Sequence, residues 1–288
     1  MIKTQPKSLC ILPWMSLETT PTGAVRPCCM TEGFVLKKKG ELFNLNSSTL
    51  SEVWTSPYMD QLRQDFLDGK KPEICNRCWS EEEAGIKSKR IQSLEKFSHK
   101  RNLPNNTPVA PQYLDLKLSN TCNLKCRTCS SDSSSKWAQD EIKLKWEGID
   151  SKKNLQLGKW SKENNHFWTD LEEMIPSLEL LDFTGGEPFL IQEHFDLLKK
   201  CVEQGHAHKI SLHYNTNGTI FPETALKDYW PHFKNVEIMF SIDGSGEIFN
   251  YLRHLGKWEE VESNLRKFQE FKYLHLEICY TVSALNIH

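Results

Sequence analysis

The chain has 288 residues, of which 38% are hydrophobic and 26% are charged, and its formal net charge is −2. This length allows one large domain or two modest ones with a packed core. The near-neutral charge argues against a protein that coats nucleic acid or an anionic membrane. No stretch approaches the roughly 18 to 20 apolar residues that cross a bilayer, and the N-terminus lacks the apolar core of a signal peptide, so we expect a cytoplasmic protein.

The N-terminal third combines helical patterns with clustered cysteines. Apolar residues recur at helical spacing in residues 48–56 and 58–69, and Gly69 suits the end of the second helix. The cysteines in this part are Cys10, Cys28, Cys29, Cys75 and Cys78. Clustered thiols in a chain without a signal peptide favour metal ligation over disulfide bonds.

A linker is predicted at residues 99–112, "HKRNLPNNTPVAPQ", because its three prolines and three asparagines disfavour a helix or a strand. It separates an expected N-terminal module, residues 1–108, from an expected second domain, residues 109–288. A polar segment at residues 147–166 is expected to be a surface insertion in the second domain.

Strands alternate with helices after the linker, which predicts βαβ units and a parallel sheet. The predicted strands are residues 113–118, 179–184, 209–215, 236–242 and 274–283. The predicted helices are residues 132–146, 167–175, 190–204 and 257–272. Functional residues of such sheets lie at the carboxyl ends of the strands, where "SNTC", "TGGEP", "NTNG" and "SIDG" fall.

Cys122, Cys126 and Cys129 form a C-x-x-x-C-x-x-C run directly after the first of these strands. A structural zinc site usually takes four ligands in two separated pairs. Three thiols in one loop instead suit a cubane iron–sulfur cluster with one iron left open for a substrate or cofactor. Cys201 and Cys279 stand alone in the sequence and are expected to be core residues.

The cysteine run and the later "TGGEP" at residues 184–188 resemble the radical S-adenosylmethionine (radical SAM) superfamily. This resemblance implies that the three thiols hold a 4Fe–4S cluster, and that Gly185, Gly186 and Glu187 contact the amino group of SAM. A Gly-Gly turn exposes backbone carbonyls, and a glutamate adds an acceptor for an ammonium group.

Two further positions are similar to the branch of that superfamily that modifies peptides and proteins: Ser241 in "SIDG" and the later Arg253 are expected to contact the ribose and carboxylate of SAM. Asn215 and Asn217 in "NTNG", at the end of the third predicted strand, are expected to line the cofactor pocket, although Asn-Gly is also a turn signal. The superfamily usually has an aromatic residue before the third cysteine, whereas this chain has Thr128. The difference affects an adenine contact and does not affect cluster ligation.

The early cysteines resemble the SPASM module, or its shorter twitch form, which binds an auxiliary 4Fe–4S cluster in many radical SAM enzymes. Cys10, Gly23 and Cys28 follow the pattern C-x12-G-x4-C, and Cys75 and Cys78 complete the set of four. The module normally follows the catalytic barrel, whereas here it comes first. A four-cysteine zinc site remains an alternative, since C-x-x-C is a common zinc half-site, and Cys29 has no assigned role.

The expected fold is therefore α/β: a partial (β/α)6-type parallel barrel of about five strands, preceded by a small, cysteine-rich, mainly helical module. The resemblance implies reductive cleavage of SAM to a 5′-deoxyadenosyl radical that modifies a peptide or protein side chain, with flavodoxin or ferredoxin as electron donor. A non-catalytic zinc or iron–sulfur adaptor and a glycyl-radical activase remain alternatives. A nucleic-acid modifier is less favoured, because no basic stripe is present.

The barrel of this superfamily usually has six strands, and the sequence supplies five. We therefore expect either a truncated or split gene product with weak or no activity alone, or a chain completed by a partner or a second copy.

Overall fold

The computed structural model describes residues 6–100, 109–144, 159–162 and 164–287, which form two compact units. The first unit comprises Met1–Thr19, Gly23–Asp115 and Asn165–Ser177. The second comprises Thr20–Thr22, Leu116–Asn164 and Leu178–His288. The predicted division between residues 108 and 109 borders residues 101–108, which lie outside the described part, and it stays a prediction.

The first unit contains short strands and short helices. Strands β1 (Ser16–Thr19) and β2 (Val25–Arg26) pair antiparallel, and β3 (Tyr113–Leu116) runs into the second unit. The helices are α1 (Leu50–Trp54), α2 (Pro57–Leu67), α3 (Asn76–Glu83) and α4 (Lys89–Lys96).

Local capping explains where the first two helices begin. The Thr49 side chain accepts from the Glu52 amide while the Glu52 carboxylate accepts from the Thr49 amide, a capping box that starts α1. Ser56 caps α2, and Pro57 takes its first position, where the missing N–H costs nothing. Gly69 follows the end of α2 at φ +77°, so the predicted helices at 48–56 and 58–69 are confirmed.

The second unit is built on four parallel strands in the order β4–β5–β6–β7. Their bounds are β4 Leu180–Phe183, β5 Ser211–Thr216, β6 Asn235–Ser241 and β7 Leu274–Cys279. The remaining helices in chain order are α5 Ser135–Leu144, α6 Lys159–Lys162, α7 Asn165–Met174 (part of the first unit), α8 Gln192–Glu203, α9 Gly246–Leu252 and α10 Trp258–Phe268. The fold is α/β with mostly parallel strand pairing, as expected, whereas the (β/α)6-type barrel stays a prediction.

The two faces of this parallel sheet differ in burial. Leu212, Tyr214, Ile238 and Phe240 are all buried on one face, and the Phe240 ring lies 5.2 Å from that of Phe268 on α10. The alternate residues of β5 and β6 are only half-buried, with exposed Asn235 at the start of β6. One face therefore packs in the core, and the other is partly open.

Several sequence predictions needed adjustment at element ends. The strand predicted to reach residue 283 ends at Cys279, and beyond it the Thr281 amide donates to the Asp243 carboxylate instead of to a neighbouring strand. Helix α9 was not predicted. Most of the predicted insertion, residues 147–158 and 163, lies outside the described residues. In its later part Trp160 and Ser161 are buried, whereas Lys162 and His166 are exposed as predicted.

No helix within the described ranges combines the length and the apolar character needed to cross a membrane.

Candidate functional site

The three central cysteines lie together in the loop that follows β3. Cys122 and Cys126 are buried with Leu124, and half-buried Cys129 packs against them. The loop lies beside the turn that follows β4, since the Glu187 amide donates to the Thr121 carbonyl at 2.8 Å. The sequence thus predicted a cysteine cluster that the fold does bring together.

Residues around the start of α5 fix the shape of this loop. The Ser134 hydroxyl donates to the Leu124 carbonyl at 2.5 Å, and the Trp137 indole N–H donates to the Cys126 carbonyl at 2.9 Å. The Cys129 amide donates to the Cys126 carbonyl at 3.0 Å, closing a turn between the last two thiols. The cysteine backbone is therefore held by hydrogen bonds that need no metal.

Two side chains present hydrogen-bond donors to the sulfurs. Arg253 Nη1 lies 3.6 Å from Cys126 Sγ, and its Nε lies 2.8 Å from Asp243 Oδ2. Asn217 Nδ2 approaches Cys122 Sγ at 3.9 Å. A buried guanidinium beside thiols stabilises their ionised form, which is the form that ligates metals.

The thiol pKa values show how the site would ionise. Burial raises the pKa of Cys122 to about 11. A hydrogen bond between the other two thiols lowers the pKa of Cys129 and raises the pKa of Cys126. Cys129 is therefore the thiol that ionises most readily, and a bound cation favours loss of the remaining protons.

The glycine turn after β4 rests directly on the cysteine loop. Gly185 and Gly186 have φ of +74° and +59°, which side-chain-bearing residues rarely adopt. A Cβ on Gly186 would lie 2.4 Å from the Thr121 carbonyl oxygen and 3.0 Å from that of Ser119. Glycine is needed at position 186 because the backbone of the loop before Cys122 occupies the space of a side chain.

Glu187 is fully buried and joins this turn to the end of β5. Its carboxylate accepts from the Thr216 hydroxyl at 2.7 Å, from the Asn217 amide at 2.8 Å and from the Phe189 amide at 3.2 Å. Burial raises the pKa of Glu187 to about 7. In this structure Glu187 positions Asn217, and its contact with a cofactor amino group stays a prediction.

Two other residues predicted to contact the cofactor, Asn217 and Ser241, lie at the carboxyl ends of β5 and β6. Asn217 also donates to Asn123 at 2.9 Å, so it faces the cysteine loop. Ser241 is at the carboxyl end of β6, in register with Cys279 on β7. Asn123 and Asp243 were missed, since a lone Asn or Asp carries no motif. The only available signal for Asp243 was its place inside the "SIDG" that follows β6.

The five early cysteines converge in the first unit. Cys10 and Cys78 are buried, while Cys28, Cys29 and Cys75 are half-buried. Burial, followed by repulsion from Cys75 and Cys78, raises the pKa of Cys10 to about 12. Burial, followed by repulsion from Cys29, Cys10 and Cys75, raises that of Cys28. These effects place Cys10 within electrostatic range of Cys28, Cys75 and Cys78, and Cys29 within range of Cys28.

Hydrogen bonds also join the segments that carry these cysteines. Arg90 donates from Nη1 to the Leu9 carbonyl at 2.7 Å and from Nε to Glu82 Oε1 at 2.8 Å, linking the segment before Cys10 to α3. The Glu32 amide donates to the Ile74 carbonyl at 3.0 Å, linking the segment after Cys29 to the one before Cys75. Hydrogen bonds of the protein thus join the segments that carry these thiols.

Comparison with known proteins identifies one part of the chain. Residues 10–79 match the family model of SPASM, an iron–sulfur cluster-binding domain. This match confirms the predicted iron–sulfur module near the N-terminus. It covers Cys10, Cys28, Cys75 and Cys78 without deciding which of them are ligands.

Two solved structures are similar to part of the chain. Native anSMEcpe with bound AdoMet is 26% identical, with a TM-score of 0.38, over 58% of this chain and 42% of that chain. Native anSMEcpe with bound AdoMet and Cp18Cys peptide is 23% identical, with a TM-score of 0.36, over 56% of this chain and 40% of that chain. The chain spans less than half the length of each. No curated protein matches it.

Proposed function

We propose that this chain is a radical SAM enzyme that modifies a side chain of a peptide or protein. One observation carries the proposal: three thiols of a single loop lie together beneath a Gly-Gly-Glu turn at the carboxyl ends of parallel strands. Both motifs resemble those of the radical SAM superfamily in sequence, and this resemblance is the reason for proposing radical SAM chemistry at the site.

Cys122, Cys126 and Cys129 would hold a 4Fe–4S cluster. The site fits such a group, because its thiols are free and Arg253 and Asn217 direct donors toward two of the sulfurs. When bound with SAM, such a cluster would supply one electron for reductive cleavage of the sulfonium, which would give methionine and a 5′-deoxyadenosyl radical. The protein holds the loop in place, offsets the negative charge of the thiolates and excludes water.

Gly185, Gly186 and Glu187 would bind the amino group of SAM, with Asn217 beside them. Each carboxylate oxygen can accept about two hydrogen bonds, so Glu187 retains capacity despite its internal bonds. Ser241 and Arg253 are proposed contacts for the ribose and carboxylate. For Arg253 this role is additional to its ion pair with Asp243.

Cys10, Cys28, Cys75 and Cys78 would hold a second, auxiliary 4Fe–4S cluster. Support comes from the SPASM match and from the convergence of these thiols in the first unit. An external one-electron donor, a flavodoxin or ferredoxin, would reduce the protein. SPASM-type modules accompany enzymes that act on peptides, which is why we propose a peptide or protein substrate.

The first experiment separates the two sites by iron content. The chain is reconstituted anaerobically with iron and sulfide, and iron is counted in wild type, in a Cys122→Ala/Cys126→Ala/Cys129→Ala variant and in a Cys201→Ala control. The triple variant should lose one cluster and all production of 5′-deoxyadenosine with dithionite and SAM, whereas the control should keep both. Equal iron and equal turnover in the triple variant would refute the central site.

The second experiment concerns the N-terminal site. A Cys75→Ala/Cys78→Ala variant should lose the other cluster and retain the one at Cys122. If the triple variant instead contains about one zinc per chain and no iron, the four early thiols form a structural zinc site.

A further inference from the structure

One face of the parallel sheet carries a row of acidic and imidazole side chains. Asp182, His213, Glu237 and His275 are in register on four adjacent strands, β4 to β7. Glu277 follows His275 by two residues, so both side chains point to the same face of β7. Ionisable groups are therefore concentrated across the partly open face of the sheet.

Three members of this row have metal-ligand geometry. The ligand atoms of Glu237, His275 and Glu277 all lie within 4.8 Å of one another. His275 Nε2 and Glu277 Oε1 are 2.8 Å apart. Two ligands at positions i and i+2 of one strand, with a third on the neighbouring strand, converge on one point above the sheet without any change of backbone. The site is open to solvent, since His275 and Glu277 are 60% and 44% exposed at their side chains.

The arrangement brings two carboxylates together on adjacent strands, with His275 hydrogen-bonded to one of them, Glu277. Glutamate is depleted in strands, and like charges on adjacent strands repel. Glu237 and Glu277 nevertheless place carboxylate oxygens within 4.8 Å of each other. On its far side Glu237 is in register with His213, which is hydrogen-bonded to Asp182 through Nδ1. A cation between the carboxylates relieves this repulsion.

We propose that Glu237, His275 and Glu277 form a binding site for a divalent first-row metal ion, separate from the two cysteine sites. One imidazole nitrogen and two carboxylates are ligands that Mn²⁺, Fe²⁺ and Zn²⁺ all accept. Two carboxylates balance a divalent charge, and three protein ligands leave coordination positions open for water or another ligand. The site requires no residue of either iron–sulfur site.

Its position relates it to the proposed cofactor residues. Ser241 is four residues beyond Glu237 on β6 and two beyond Met239, which is in register with Glu277. With a rise of about 3.3 Å per residue, the metal ligands lie roughly 7 to 13 Å further from the carboxyl end of the sheet than Ser241 does.

Mn²⁺ alone is the best probe, because it prefers carboxylates and does not compete well for thiolates. The cluster-loaded full chain is titrated with MnCl₂ at pH 7.5, and free Mn²⁺ is measured from its six-line electron paramagnetic resonance signal. Wild type should bind one Mn²⁺ per chain with a dissociation constant below about 1 mM. Glu277→Gln and His275→Ala should each weaken binding by about tenfold or more.

The matched control is Glu259→Gln, which removes an exposed carboxylate on α10 and should leave Mn²⁺ affinity unchanged. Circular dichroism and cluster absorbance should be the same in all four proteins. The proposal is overturned if wild type binds no Mn²⁺ below about 1 mM, or if the control loses as much affinity as Glu277→Gln. Unchanged affinity in His275→Ala overturns it too, because the nitrogen ligand would then have no role. None of these results depends on SAM cleavage, so they are independent of the proposed enzymatic function.

Discussion

Replacement of Gly186 by alanine tests whether the glycine turn supports the cysteine loop. Gly186→Ala should carry two costs. The first is conformational, because φ is +59° and a left-handed backbone costs a non-glycine residue about 1 to 2 kcal/mol. The second is steric, since the new methyl group would lie 2.4 Å from the Thr121 carbonyl oxygen, which is backbone and cannot rotate away. Overpacking of this kind costs about 1 to 3 kcal/mol, which gives a total of about 2 to 5 kcal/mol.

Gly246 provides the matched control for this prediction. It has a similar φ of +55°, but a Cβ there would meet nothing within 4 Å. Gly246→Ala should therefore carry only the conformational cost of about 1 to 2 kcal/mol. The excess loss in Gly186→Ala isolates the contact between the turn and the loop before Cys122.

Two measurements decide the result. Free energies of unfolding from urea titration give the difference between the two variants, expected at about 1 to 3 kcal/mol. Iron content after anaerobic reconstitution should fall in Gly186→Ala and remain at the wild-type level in Gly246→Ala, because only the first displaces the backbone that leads into Cys122. If the two variants lose the same stability and bind the same iron, the turn does not support the loop.

Two further predictions concern buried charge. Arg253→Met should lower the free energy of unfolding by about 3 to 5 kcal/mol, because it leaves the buried carboxylate of Asp243 without its ion-pair partner. Adding Asp243→Asn should recover most of that loss in urea unfolding, and an additive further loss would contradict the explanation. The pKa of His194 is lowered to about 3 by burial, and its Nε2 has no hydrogen-bond partner among the described residues. The wild-type protein should therefore lose stability as pH falls below about 6.5, by about 2 kcal/mol at pH 5 relative to a His194→Phe variant, and parallel pH profiles for the two proteins would refute this.

Local sequence determined several parts of this fold. Helices α1 and α2 follow from apolar spacing and from capping residues that act within one turn of the chain, so their positions could be predicted. The strands at β4 to β7 were found because each is a short apolar or alternating run that is separated from the next by a helical or turn segment. Strand β1, SLET, was missed because only one of its four residues is apolar, whereas β3 and β4 have the same length with three apolar residues each. Strand β2 was missed because it has only two residues.

The spacing of cysteines in the sequence predicted one of the two cysteine sites but not the other. Cys122, Cys126 and Cys129 are so close in the chain that one loop must hold them, and the spacing alone predicted their cluster. Cys10 and Cys78 are 68 positions apart, and it was the likeness to a known module that joined them. The structure adds the Arg90–Glu82 framework, which no spacing could predict because it depends on three separate segments.

Tertiary structure alone decided which side chains are neighbours across strands. Alternation within a strand shows that Glu237 and Met239 share a face, but it does not show what lies beside them. The pairing register places Glu237 next to His275, and a shift of one residue would turn His275 to the opposite face. The same limit applies to Glu187, whose motif predicted a cofactor contact while the fold surrounds it with Thr216, Asn217 and Phe189. Sequence patterns report the local period of the chain, whereas contacts between distant segments depend on register and packing, which are set only when the whole core forms.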